Sequence, residues 1–280
     1  MGAGAGGCAA SGSAAYEQRV NISRVFLYMS PTCYSRARGA ASLQWLWWPE
    51  AAAKENPMRH LHRLALAVLA IAAGMLANAP LRAADGPTPP GDPQKWPGTG
   101  PAWDGEHFQN RRNLFWSERQ KDQGAVVWFG DSITEGWRTL DRDFPQLKTA
   151  NRGISGDCSR GLLFRLKEDV LDLKPTGLVL LIGINDLASG AQPTDVAHNI
   201  RRIVDGFRAA RPGAPIIVCH IMPWKAQPGE HTQRIKQTNA LIDALMLGRP
   251  KVKICDTFGA FALPDGTAPK DLFPDLLHPN

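Results

Sequence analysis

Cysteine and net charge are both sparse in the part of this 280-residue chain that has the composition to fold. Only three of the five cysteines, Cys158, Cys219 and Cys255, follow residue 84. That number is odd and their spacing is not that of a zinc site, so buried thiols are expected rather than a disulfide framework or a metal centre. Across residues 84–280, 24 Lys+Arg stand against 23 Asp+Glu, so the formal charge of +6 belongs almost entirely to the first 83 residues. A basic nucleic-acid-binding surface is therefore not expected on the folded part. No G-x-x-x-x-G-K-[ST] loop is present and the glycine segments do not follow the dinucleotide fingerprint, so neither cofactor nor metal is implied. At 44% apolar residues the chain can nevertheless build a core, which excludes a disordered or collagen-like protein.

The N-terminal third reads in three pieces. Residues 1–57 show neither helical nor strand periodicity and mix Gly/Ala tracts with Trp45, Trp47 and Trp48. They are expected to be an unstructured leader outside the natural product, with Met58 as the initiator. Residues 58–83 carry Arg59, His60, His62 and Arg63 ahead of an apolar run from Leu64 to Leu76, then Leu81-Arg82-Ala83 before Ala84. This is the pattern of a signal peptide, and a periplasmic or secreted protein beginning at Ala84 is expected. An uncleaved membrane anchor is the alternative, although Asn78 and Pro80 interrupt the apolar stretch. Residues 84–102 are dense in Pro and Gly and are expected to form an extended linker without a core of its own.

From residue 103 the pattern becomes regular. A charged, surface helix is expected within 103–123, and short apolar runs at 125–129, 177–182, 215–220 and 252–255, with a weaker one at 147–150, read as strands. Amphipathic stretches at 160–173, 194–210 and 232–247 lie between them. Such alternation predicts a parallel sheet covered by helices, with functional residues just beyond the carboxyl ends of the strands.

Those positions hold the informative residues. The first strand runs into Gly130-Asp131-Ser132-Ile133-Thr134-Glu135-Gly136, where the serine meets a helix N-terminus that favours negative charge. Thr134 stands where a G-x-S-x-G elbow would have its second glycine, so an α/β-hydrolase is not the first choice. The second strand is followed by Asn151-Arg152-Gly153-Ile154-Ser155-Gly156-Asp157 and the third by Gly183-Ile184-Asn185-Asp186. Near the end, Asp275 precedes His278 by three residues, a spacing at which a carboxylate can reach an imidazole Nδ1–H and leave Nε2 to take a hydroxyl proton.

In this order the four segments resemble the SGNH hydrolases, also called GDSL esterases, over roughly residues 103–280. The wording of the first three blocks is closest to the branch that holds the small catalytic subunits of platelet-activating-factor acetylhydrolase and their bacterial relatives. The resemblance implies a three-layer α/β/α sandwich with a five-stranded parallel sheet, flavodoxin-like in architecture. It further implies Ser132 as nucleophile, His278 as base and Asp275 as its partner, with Ser132, Gly156 and Asn185 forming the oxyanion hole. The branch removes acetyl and other short acyl groups. An acetylated polysaccharide is therefore the leading substrate, with lysophospholipid or thioester hydrolysis as the runner-up. A flavodoxin-like binding module shares the architecture but has no use for a terminal Asp-x-x-His.

Other residues are read more plainly. His220 is expected to be a hydrogen-bonded core residue, and His107, His198 and His231 to be solvated. Asp131 and Asp157 are assigned structural support. Trp137 and Trp224 could line the site or simply pack. The sequence departs from the family in two respects: Cys158 stands where the related branch usually has threonine, with little effect expected, and a final helix normally follows the His block, whereas the sequence here ends at Asn280. A fold without that helix, a mobile His278 and weak activity are expected.

Overall fold

The computed structural model describes residues 86–280, Ala226 excepted. The expected leader 1–57 and signal segment 58–83 lie outside the described residues. Five strands form one sheet: β1 (Val126–Gly130), β2 (Thr149–Gly153), β3 (Gly177–Leu181), β4 (Ile216–Cys219) and β5 (Val252–Cys255). All pairings are parallel, and the order is β2-β1-β3-β4-β5. Strands β1, β3, β4 and most of β5 are short and apolar because parallel strands covered by helices are buried on both faces. Val127, Phe129, Leu178, Leu180, Ile216 and Val218 together build the main core.

The sheet is flanked by helices in the three-layer arrangement expected. The described helices are α1 (Glu106–Glu118), α2 (Ser132–Glu135), α3 (Leu140–Asp143), α4 (Ser159–Asp169), α5 (Ile184–Ala188), α6 (Pro193–Ala210), α7 (Glu230–Met246) and α8 (Thr257–Phe261). In α6 a proline at the first turn starts the helix, and Val196, Ile200, Ile203, Val204 and Phe207 bury one stripe against the sheet. No helix follows α8 among the described residues, and the chain reaches Asn280 through turns.

Two expectations need correction. The weak second strand lies at Thr149–Gly153 rather than 147–150. Its polar sequence hid it, since Arg152 turns inward, 1% exposed, to meet Asp122 at 2.7 Å. The stretch read as an open linker also packs. Trp96 is 5% exposed and stacks on Phe164 at 4.5 Å between ring centroids, alongside Phe108. Arg160 donates to the carbonyls of Pro93, Gln94, Trp96 and Gly100, and Asn199 pairs with the Thr99 backbone in both directions. Residues 86–102 thus belong to the compact unit Gly86–Asn280. Their order comes from partners 60 to 100 residues away, which no local pattern reveals.

Candidate active site

Strand register determines which loops meet. Gly130, the last residue of β1, lies opposite Gly153 on one side and Leu181 on the other. The three segments that leave these strands therefore emerge side by side, at the point where the order of the sheet reverses. Asp131 caps α2 by accepting from the Ile133 N–H at 3.0 Å, which places Ser132 in the first turn. A side chain at Gly153 would put its Cβ 2.1 Å from the Glu135 nitrogen, so α2 can lie against β2 only because that residue is glycine. Residues 154–157 then form a turn closed by the Asp157 N–H on the Ile154 carbonyl at 3.1 Å. Its third residue, Gly156, has φ +81°, as a type II turn requires.

His278 arrives from the other end of the chain, 146 residues from Ser132, and its Nε2 lies 2.8 Å from the Ser132 Oγ. Its Nδ1 lies 2.6 Å from Asp275 Oδ2, while the other oxygen of that carboxylate accepts from the backbone N–H groups of Leu277 and His278. The hydrogen bond from His278, helped by these two N–H groups, holds the Asp275 carboxyl well down, at about 2. Between them, Leu276 adopts φ 65°, a left-handed conformation uncommon for a residue with a side chain. The loop is pinned on both sides: the Leu276 carbonyl accepts from the Lys225 N–H, and Asn280 donates to the carbonyls of Leu272 and Asp271. These bonds tie the loop to residues 225, 271 and 272.

The structure joins Ser132, His278 and Asp275 directly, and Gly156 and Asn185 lie on the segments that leave the neighbouring strands β2 and β3. Asn185 directs its Nδ2 at the Asp157 carbonyl, 3.0 Å away, which fixes the amide and leaves its second N–H available. Neither the Ser132 nor the Gly156 backbone N–H donates to another described residue. Asp131 and Asp157 lie beneath the site in supporting roles. Asp157 accepts from Arg165 Nε at 2.8 Å and from the Cys158 N–H, and Arg165 also reaches Asp169 and the Gly130 carbonyl. Burial pushes the Asp131 carboxyl up to about 7 and that of Asp186 up to about 6.

Several site neighbours carried no signal in sequence. Ser132 and His278 open into a cleft of about 420 Å³ whose walls include Arg111, Glu135, Arg138 and Ser155. Glu135 accepts from the N–H and hydroxyl of Ser155 and lies 2.9 Å from His107 Nε2. Burial works to raise this carboxyl, but His107 and Ser155 outweigh it and hold it below the usual range. Trp103 faces Gly156 closely enough that a Cβ there would meet its ring at 3.7 Å. Trp137 is anchored through its indole N–H to Asp143, and Trp224 packs on the core beside His231. His220 is held between Asp256 and Asp243, at 2.9 Å from each, and is not among the cleft residues. His107 and His231 are less free than expected, being engaged by Glu135 and Trp224 respectively.

The sequence profile of the GDSL-like Lipase/Acylhydrolase family matches residues 128–280. The chain belongs to that family. Curated relatives include platelet-activating factor acetylhydrolase IB subunit alpha2 of Bos taurus and of Homo sapiens, each 33% identical over 181 residues, which are 62% of this chain and 76% of the relative. A GDSL-like lipase from Bacteroides thetaiotaomicron has the same fold, with a TM-score of 0.51 and 26% identity over 57% of this chain and 82% of its own. Membership of this family makes the protein an ester hydrolase.

Proposed function

We propose that the protein removes acetyl or other short acyl groups from a carbohydrate by a Ser-His-Asp acyl-enzyme route. The observation that carries this is the unbroken line from Asp275 through His278 to Ser132, at 2.6 and 2.8 Å. Ser132 Oγ attacks the ester carbonyl as its proton passes to His278 Nε2, and Asp275 balances the imidazolium that forms. The carbonyl oxygen becomes negative and accepts hydrogen bonds from the Ser132 and Gly156 N–H groups and the Asn185 amide. Collapse breaks the bond to the alcohol, which leaves with the proton from His278. Water then attacks the acyl-serine, again losing its proton to His278, and the acid is released.

A carbohydrate alcohol suits the cleft because its walls offer Arg111, Glu135, Arg138 and Ser155, groups that pair with hydroxyls rather than with a long acyl chain. Lysophospholipid and thioester substrates are the lesser reading for the same reason. A flavodoxin-like binding module would make no use of the Ser132–His278 pair. We also propose export, with the mature chain starting at Ala84. Sequencing the N-terminus of protein recovered from the periplasm or medium tests this.

A serine-directed fluorophosphonate tests the chemistry. The expected result is one adduct, on the peptide carrying Ser132, and p-nitrophenyl ester cleavage that falls steeply from acetate to dodecanoate. An adduct on another serine, or a preference for the long chain, would overturn the reading.

A further inference from the structure

The cleft at Ser132 contains charges of both signs, and they differ in whether the protein already satisfies them. Glu135 is engaged by Ser155 and His107, with Arg111 at 3.5 Å. Arg111 also donates through Nε and Nη2 to the Gly153 carbonyl. Arg138 is exposed, and its guanidinium makes no hydrogen bond or ion pair with any described residue. Its backbone, however, is fixed. Trp137 and Thr139 on either side both donate to the Asp143 carboxylate at 2.6 Å, and Asn151 donates to the carbonyls of Thr134 and Trp137. A second cleft, of about 320 Å³, shares Arg111, Glu135 and Arg138 with the first, so Arg138 stands where the two spaces join.

We propose that Arg138 selects esters whose alcohol portion carries a carboxylate, as in an acylated acidic saccharide. This deepens the reading of Ser132 and His278 given above and rests on it. A short acyl group has no room for a charge, so the anion must lie on the alcohol, which the open side of the cleft receives. A guanidinium presents paired donors that match the two oxygens of a carboxylate. The choice of a singly charged group follows from the nearby acids: Glu135 lines the same cleft and Asp141 the adjoining one, so the surplus positive charge is small.

The test compares 4-acetoxybenzoate with 4-acetoxybenzamide, esters of nearly the same shape that differ by one charge, as a kcat/KM ratio within each full-length protein. Because general losses of activity cancel in the ratio, it reports recognition alone. The wild-type ratio is expected to favour the carboxylate about five-fold at low salt, to approach one in Arg138→Ala, to invert in Arg138→Glu and to recover partly in Arg138→Lys. Raising ionic strength from about 0.02 to about 0.5 M should erode the wild-type preference by screening, an arm that needs no variant to fold. A wild-type ratio near one at low salt, or one unchanged in Arg138→Ala, would overturn the proposal. A stronger preference for 4-acetoxyphenyl phosphate would overturn the choice of carboxylate. Failure of the underlying reading looks different, since both esters would then be cleaved undiminished by Ser132→Ala.

Discussion

Ser132 stands at the end of a central strand above a set of buried ions, whereas the side chains of His278 and Asp275 are 40% and 56% exposed on a loop. The first position is set by long-range architecture: the register of three strands, a glycine that admits α2 against β2, and Arg165 beneath. The second is set locally, by two backbone N–H groups on one carboxylate and a few bonds that tie the loop down. Two halves of the proposed catalytic device therefore have very different mechanical support. Disturbance of the buried support beneath Ser132 should register as lost stability, and disturbance of the exposed Asp275–His278 loop as lost turnover.

The largest effect bears on the hydroxyl itself. Ser132→Ala is expected to lower kcat for p-nitrophenyl acetate by at least about 10⁴-fold with little change in melting temperature, measured by initial rates and circular dichroism. Next is the support below it. Arg165→Leu leaves Asp157 and Asp169 without their shared cation and is expected to cost about 3–5 kcal/mol in urea unfolding, with activity following the folded fraction. On the other side, Asp275→Asn should reduce kcat by about 10²-fold, short of the about 10⁴-fold loss for a buried triad aspartate, because water can reach this one. Its urea midpoint should fall far less than that of Arg165→Leu, because Asp275 is exposed to solvent. An Asp275→Asn protein that unfolds as readily as Arg165→Leu would erase the contrast.

The smallest effect is in pH, where the two halves have opposite signs. Asp131 titrates higher in the fold than in the unfolded chain, so the native state holds the extra proton between about pH 4 and 7. Stability should fall as pH rises through that window and level off above it. Asp275 titrates lower in the fold, so its contribution is present above about pH 4 and is lost as pH falls toward 2. Melting temperature followed from pH 5 to 8 should decline, and the decline should be shallower in Asp131→Asn. An identical slope in the two proteins would remove Asp131 as its source.

The same contrast governs what could be read before the structure. Strands β1, β3, β4 and β5 announce themselves because burial on both faces demands apolar runs, and the Ser132, Gly156, Asn185, Asp275 and His278 segments follow from wording and order. What was hidden depends on partners far along the chain. Strand β2 is placed two to three residues too early because Arg152 answers to Asp122 rather than to apolar neighbours. Residues 86–102 look like a tether because Arg160, Phe164 and Asn199 supply their order. Arg111 and Arg138 resemble any surface arginine, and only the meeting of α1 with the turn after α2 brings them to the cleft. The bonds that secure Asn280 are likewise invisible in the sequence, since they run to backbone carbonyls.

Arg165 joins the Gly130 carbonyl, just before the nucleophile turn, to the Asp157 carboxylate, just after Gly156. A guanidinium is planar and of fixed size, so the interval between these two segments is gauged by covalent geometry as well as by loop packing. Changes to the outer wall of the cleft leave that gauge untouched. On the proposal made for Arg138, such a scaffold would take new specificities from changes at the cleft wall while that interval stays as it is.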